Sequence, residues 1–261
     1  MSNPKLSIVT LYPDLLGTYG DSGNGEILAA RARFNGIDAL VRKVSSDDKI
    51  PIDADIYLIG GGEDGPQQSA VSLAQKDGGL TEAYKRGAQI LAICAGFQII
   101  GLEFPVGKDL VIGGLGLIPV RTVRSIMPRC VGELLVLPDS SLGLPLVSGY
   151  ENHSGQSEII SGIPLGRVMS GVGNSYVSKV DGFINDTVIA SYCHGPILAR
   201  NPDLADLILS RALGRVVGDA GDYSLTNAIA SYRNERIAFA CASKYKREWN
   251  QLVARFRDLK G

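Results

Sequence analysis

The chain has 261 residues, with 26 Lys and Arg against 27 Asp and Glu, a net charge of -1, and 45% hydrophobic residues. That balance excludes intrinsic disorder and disfavours a basic nucleic-acid binder, which needs a positive field to collect phosphates. Four cysteines, Cys94, Cys130, Cys193 and Cys241, are too sparse for a disulfide framework and lack zinc-finger spacing.

In chain order, Ser7 to Leu11 reads as an apolar strand, followed by a Gly-rich polar loop, Tyr19 to Asn24. Glu26 to Phe34 reads as a helix stopped by Asn35-Gly36. Strands are expected over Ile37 to Val44 and over Asp55 to Ile59, the second running into Gly60-Gly61-Gly62. A helix is predicted from Gln67 to Arg86, then a buried strand from Gln89 to Ile93 that meets Cys94 and a helix start. Beyond Gly101 short strands and Gly/Pro turns dominate, at Gly113 to Val123, Gly132 to Leu137, Leu146 to Tyr150 and Arg167 to Ser170. Thr187 to Tyr192 is the last core strand and Asn201 to Leu213 the last helix. Strands alternating with helices imply an α/β fold, a mostly parallel sheet flanked by helices.

The tail differs. Residues 215–261 carry a net charge of +4 against -5 for the rest. Tyr245, Trp249, Leu252, Val253, Phe256 and Leu259 recur at helical spacing opposite Lys and Arg. An amphipathic basic helix can dock on its own domain, on a partner or on a membrane surface, and docking on the same chain is the ordinary case. The chain is therefore divided at 213/214, with a C-terminal helical extension over 214–261. The start of the chain lacks the long apolar region of a signal peptide, and the apolar stretch from Ile90 to Phe104 is too short to span a bilayer. A cytoplasmic protein is expected, with no transmembrane segment.

The chemistry concentrates at strand ends. Cys94 sits where a buried strand turns at once into a helix, as in nucleophile elbows, where the helix N-terminus favours a thiolate. An inert buried thiol is the alternative. His194 ends another apolar strand in Ser191-Tyr192-Cys193-His194-Gly195-Pro196, and only two histidines exist to serve as base. The glycines at 60–62 let backbone N–H groups face a developing oxyanion; no Gly-Lys-Ser/Thr follows, so the loop is no Walker motif. A zinc site from Cys130, Cys193, His153 and His194 is disfavoured, because adjacent strand residues point to opposite faces.

Cys-Ala-Gly-Phe-Gln (94–98) resembles the Cys-x-Gly-x-Gln elbow of class I glutamine amidotransferases. Together with Ile-Gly-Gly-Gly (59–62), Gly-Tyr-Glu-Asn-His-Ser-Gly (149–155) and Tyr-Cys-His-Gly-Pro-Ile-Leu (192–198), it resembles the cobyric-acid-synthase-type branch. The loop at 19–24 and the run at 194–201 narrow the likeness to glutaminase subunits of lipid II isoglutaminyl synthases. The resemblance covers residues 5 to 213 and makes 1–213 the amidotransferase domain. It implies that Cys94 attacks the side-chain amide of L-glutamine, with the oxyanion held by backbone near Gly61 and Ala95. It implies that His194 serves the leaving ammonia and then water, that Gln98 holds the site or the substrate, and that Arg129 grips the glutamine carboxylate. No metal or cofactor is implied. The implied partner is a MurT-like Mur-ligase subunit, joined in a heterodimer, which uses ATP to activate the D-glutamate carboxyl of lipid II for the ammonia.

One position departs from the class I pattern. Pro196 stands where many members carry a triad Glu, so the group orienting His194 is left among Glu151 and other acids. His153 reads equally as a pocket residue or a hydrogen-bonded structural one. Competing readings are a stand-alone DJ-1/PfpI-type cysteine protein, a scaffold with a degenerate site, and the glutaminase part of a cobyrinate or cobyrate amidation system.

Overall fold

The computed structural model describes residues 5–107, 109–218, 231–232 and 234–242. The first half builds strands and helices in alternation: β1 (Lys5–Leu11), α1 (Gly23–Phe34), β2 (Asp38–Val44), β3 (Ile56–Ile59), α2 (Asp64–Asp77), α3 (Gly79–Lys85), β4 (Gln89–Ile93) and α4 (Ala95–Ile100). The second half adds β5 (Glu103–Val106), β6 (Leu110–Gly113), β7 (Val120–Arg124), β8 (Cys130–Pro138), β9 (Val147–His153), β10 (Gly155–Ile159), β11 (Gly166–Ser170), β12 (Val180–Asp181), β13 (Phe183–Ile184) and β14 (Val188–Ser191). Helices α5 (Ile197–Arg200) and α6 (Pro202–Leu213) follow.

The core sheet runs β13-β14-β4-β3-β1-β2. Five of its strands are parallel, and β13 lies antiparallel at one edge. Every residue of β3, β4 and β14 is buried, which explains their unbroken apolar runs: helices cover both faces of a parallel sheet. The chain therefore has the expected α/β fold.

Two expectations change. The helix predicted over Gln67 to Arg86 is two helices, because Gly78 adopts a left-handed conformation (φ 77°) that ends α2. The Gly/Pro-rich middle of the chain folds into two further four-stranded sheets, β10-β7-β5-β6 and β12-β11-β8-β9, whose pairs are antiparallel except for β5 with β7.

The last of these sheets is tied to the core. Tyr150 of β9 and His194 form an isolated bridge, with Tyr150 N–H donating to His194 O (3.3 Å) and His194 N–H to Tyr150 O (2.8 Å). This needs a close approach one residue earlier. A Cβ on Gly149 would lie 2.5 Å from the Cβ of Cys193.

Residues 231–232 and 234–242 are helical, and Arg236 pairs with Glu133 of β8, the same carboxylate that takes Arg200 of α5. Ala240 is buried. The expected amphipathic face from Tyr245 to Leu259 lies outside the described residues.

Gly149→Ala should cost about 1–3 kcal/mol, the usual range for overpacking. A thermal or denaturant melt should show the loss. A melt unchanged from wild type would mean that β9 can draw back from Cys193 freely.

Candidate active site

Four consecutive strands of the core sheet, β14, β4, β3 and β1, end at one edge, where open parallel sheets collect their ligand groups. Each delivers one element of the site: the Tyr19–Asp21 loop after β1, the triple glycine after β3, Cys94 after β4, and His194 after β14.

Cys94 has φ 51° and ψ -102°, a positive-φ conformation that costs a non-glycine residue about 1–3 kcal/mol and persists only where its surroundings impose it. They do. Cys94 N–H donates to Ser191 O (2.9 Å), Gly96 N–H to Gly60 O (3.1 Å) and Gln98 N–H to Cys94 O (3.1 Å). The turn is the strand-to-helix elbow expected of this segment.

His194 is almost fully buried. Its Nδ1 lies 2.8 Å from Asp21 Oδ2. An ionised carboxylate only accepts, so Nδ1 carries the hydrogen of this bond. The same carboxylate takes Gly61 N–H (2.9 Å) and Gly195 N–H (3.3 Å). The Tyr19 ring packs edge-on against the imidazole, with centroids 4.9 Å apart. His194 Nε2 makes no hydrogen bond of normal geometry among the described residues. Cys94 nonetheless lies near enough to act on the charge of the ring. Burial works to lower the His194 pKa, but Cys94 and the Asp21 carboxylate outweigh it and push the value up to about 10.

Gly61 packs under the ring. A Cβ there would lie 2.4 Å from His194 Cε1. Its N–H, expected from the sequence to help hold an oxyanion, is committed to Asp21 instead. Gly62, half-buried, lines the cavity beside Cys94 and Ala95 instead. Ala95 N–H belongs to the first turn of α4, where N–H groups lack intrahelical partners.

The cavity measures about 120 Å³. Cys94 and Ala95 stand on its wall, as do Gln98, Arg129 and His153. Gln98 is held at both ends of its amide, accepting from Gln67 Nε2 (2.8 Å) and donating to Tyr192 OH (3.1 Å). Arg129 donates through Nε to Asn152 Oδ1 and through Nη2 to Asn152 O (3.2 Å). His153 stacks on the Tyr192 ring with centroids 3.8 Å apart, and its Nδ1 lies 3.0 Å from Gly155 O. Of the residues singled out from the sequence, Cys94, Ala95, Gln98, Arg129 and His153 line this cavity, while His194 and Gly61 meet at Asp21, which the sequence did not single out.

Glu151 does not orient His194. It accepts Val172 N–H (2.8 Å) and Gly173 N–H (2.9 Å) and faces His153 Nε2 at 3.4 Å. Among the described residues no group of three or more His, Cys, Asp or Glu could hold a metal ion, and no helix is long and apolar enough to cross a membrane. A thiol beside an imidazole whose far nitrogen is bonded to a buried carboxylate is an arrangement for nucleophilic acyl transfer.

Residues 7–202 match the CobB/CobQ-like glutamine amidotransferase domain. The chain is 32% identical over 213 residues to the GatD subunit of lipid II isoglutaminyl synthase (glutamine-hydrolyzing) from Staphylococcus aureus, covering 81% of this chain and 86% of that one. It is 33% identical over 217 residues to the corresponding subunit from Streptococcus pneumoniae, covering 82% and 83%. Cobyric acid synthase from Desulforudis audaxviator is 35% identical over 125 residues, but these are 46% of this chain and 24% of that protein. A crystal structure of a glutamine amidotransferase superposes with a TM-score of 0.51 at 17% identity, covering 78% of this chain and 98% of that one, which is a likeness of fold.

Asp21→Asn keeps the shape of the site and removes its charge, so the His194 pKa should fall. In the folded chain that pKa is raised, so the stability it contributes is full below about pH 6.5 and lost as the pH rises through about 10. Denaturant midpoints across this window should decline less in Asp21→Asn than in wild type. Parallel declines would show that Asp21 does not hold the proton.

Proposed function

The chain belongs to the CobB/CobQ-like glutamine amidotransferase family, and from that premise we propose that it is the glutaminase subunit of a lipid II isoglutaminyl synthase. The observation that carries the chemistry is the buried Asp21–His194 pair beside Cys94 at the wall of a small polar cavity.

Cys94 Sγ attacks the side-chain amide carbon of glutamine. The N–H groups of Ala95 and Gly62 receive the oxyanion, in place of the Gly61 donor expected from the sequence. His194 gives a proton to the departing nitrogen, which leaves as ammonia, and a thioester to Cys94 remains. His194 then takes a proton from water, the hydroxide attacks the thioester, and glutamate leaves with the thiol restored. The sum is glutamine plus water to glutamate plus ammonia. Asp21 keeps the imidazole oriented through both proton transfers and stabilises its charged form, the role an acid plays in a nucleophile–base–acid triad. Arg129 takes the α-carboxylate, to which a guanidinium fork is matched. Gln98, with both ends of its amide engaged, holds the cavity wall.

Ammonia passes to a MurT-like, ATP-dependent Mur-ligase subunit that amidates the D-glutamate of lipid II in peptidoglycan synthesis, in the cytoplasm. The names of the two relatives that match over most of their length support this assignment over cobyrate amidation, whose enzymes match over 23% to 37% of theirs.

Incubation with a diazo-ketone analogue of glutamine, with and without a MurT-like subunit, should leave an adduct on Cys94. Cys94→Ser should lower ammonia release from glutamine by about a thousandfold or more, as loss of a nucleophile does. Peptide mass spectrometry and an ammonia assay read the two results. Neither adduct nor ammonia under either condition would overturn the glutaminase reading.

A further inference from the structure

The 149–155 segment is only partly used by the chemistry above. Its Tyr150 clasps the backbone of His194, Glu151 ties down the 172–173 turn, and His153 stacks on Tyr192. Asn152 and Ser154 are the remaining side chains, both on the cavity wall, and Asn152 is the one that reaches Arg129.

Asn152 makes a three-point bracket. Its Oδ1 accepts from Arg129 Nε and its backbone carbonyl from Arg129 Nη2 (3.2 Å). Its Nδ2 donates to the Tyr19 hydroxyl. Two donors of the guanidinium are thereby bonded to one residue, which fixes the plane of the group. A free arginine side chain would lose much rotamer freedom on gripping a ligand; a braced one has lost it already. The third arm reaches Tyr19, whose ring lies against His194, so the bracket spans from the cationic end of the cavity to the imidazole.

We propose that Asn152 is a specificity-determining positioning residue: it presets Arg129 to receive a free α-carboxylate, and so restricts the site to free glutamine over glutamine whose α-carboxyl is tied in an amide. The inference rests on the glutaminase reading. Asn152 is neutral, so it orients the guanidinium without cancelling its charge. A carboxylate in its place would hold Arg129 equally well and compete with the substrate for it.

The test compares L-glutamine with L-glutamine α-amide as substrates of the full chain, together with a MurT-like subunit. Asn152→Ala should raise KM for glutamine by about tenfold or more, the usual scale for a lost hydrogen bond to a charged group, with kcat little changed. Its preference for glutamine over the α-amide should fall toward that of Arg129→Ala, and the double variant should add little. Asn152→Asp should also lose the preference, by cancelling the charge of Arg129, while keeping a wild-type melting temperature, which separates loss of the carboxylate site from a folding defect. Active variants with undiminished preference would overturn the role of Asn152 and leave the glutaminase reading standing. A wild-type chain that neither hydrolyses nor binds glutamine would overturn both.

Discussion

The Asp21 carboxylate takes three N–H donors at the open edge of the core sheet: the imidazole of His194 and the backbones of Gly61 and Gly195. A buried carboxylate without partners would be costly by several kcal/mol, so the three donors are a condition of its being there. They come from two separate parts of the chain, and the carboxylate from a third. Gly61 follows β3, His194 and Gly195 follow β14, and Asp21 itself follows β1. The carboxylate is therefore both the orienting group of the imidazole and the knot that closes three loops on one another. Thr18 N–H, donating to Gly61 O (3.1 Å), adds a second tie between two of them.

Cys94 depends on the same closure. Its elbow conformation is unfavourable by itself, and it is held through Ser191, the last residue of the strand that leads to His194, and through Gly60, which precedes the Gly61 bound to Asp21. Strand order makes this possible: β4 lies between β14 and β3 in the sheet, so the cysteine rises between the histidine on one side and the glycines on the other. The reactive pair is thus an outcome of sheet topology, with the local sequence supplying only the side chains.

That division explains what the sequence revealed. Strand ends carry a clear local signal, so Cys94, the triple glycine and His194 were legible as candidate positions that the fold brings to one edge, and unbroken apolar runs identified the parallel strands. Asp21 lies in a loop that the sequence marked as Gly-rich, polar and part of the family likeness, without a chemical role. The orienting group was left among Glu151 and other acids once position 196 proved to be proline; the partner is 173 residues from His194 and meets it only because β1 and β14 end at the same edge. Glu151 carries no mark in the sequence that it is already engaged by Val172 and Gly173. Gly61 failed as an oxyanion donor for the same reason, since one N–H cannot serve Asp21 and a reacting oxygen at once. The two smaller sheets were hidden because neighbouring pairs such as β5 with β6 and β8 with β9 are joined to strands far away in sequence, as β7 is to β10 and β8 to β11, and short strands with Gly/Pro turns specify such partners weakly.

The cavity divides its polar groups by task. Behind Cys94, outside the lining itself, Asp21 and His194 are sealed from water, where a proton would meet little competition from solvent. At the open end, Arg129 is exposed, and Arg124 also reaches the rim. Glu63 and Asp64 also line the cavity, and beside them runs a neutral wall in which Gln98 is fixed by Gln67 and Tyr192, with Tyr192 bonded in turn to Ser157 (2.7 Å). This wall is satisfied internally, so it offers a shape without competing for charge. A ligand with a carboxylate at one end and a neutral amide at the other matches that gradient: its charge stays near solvent and a cation, and its amide enters the dry end. A ligand charged at both ends would have to leave one charge beside the buried Asp21 carboxylate or the sulfur of Cys94. On the proposed reading, selection for an amide over an acid lies in the depth of the site, and selection for a free carboxylate at its rim.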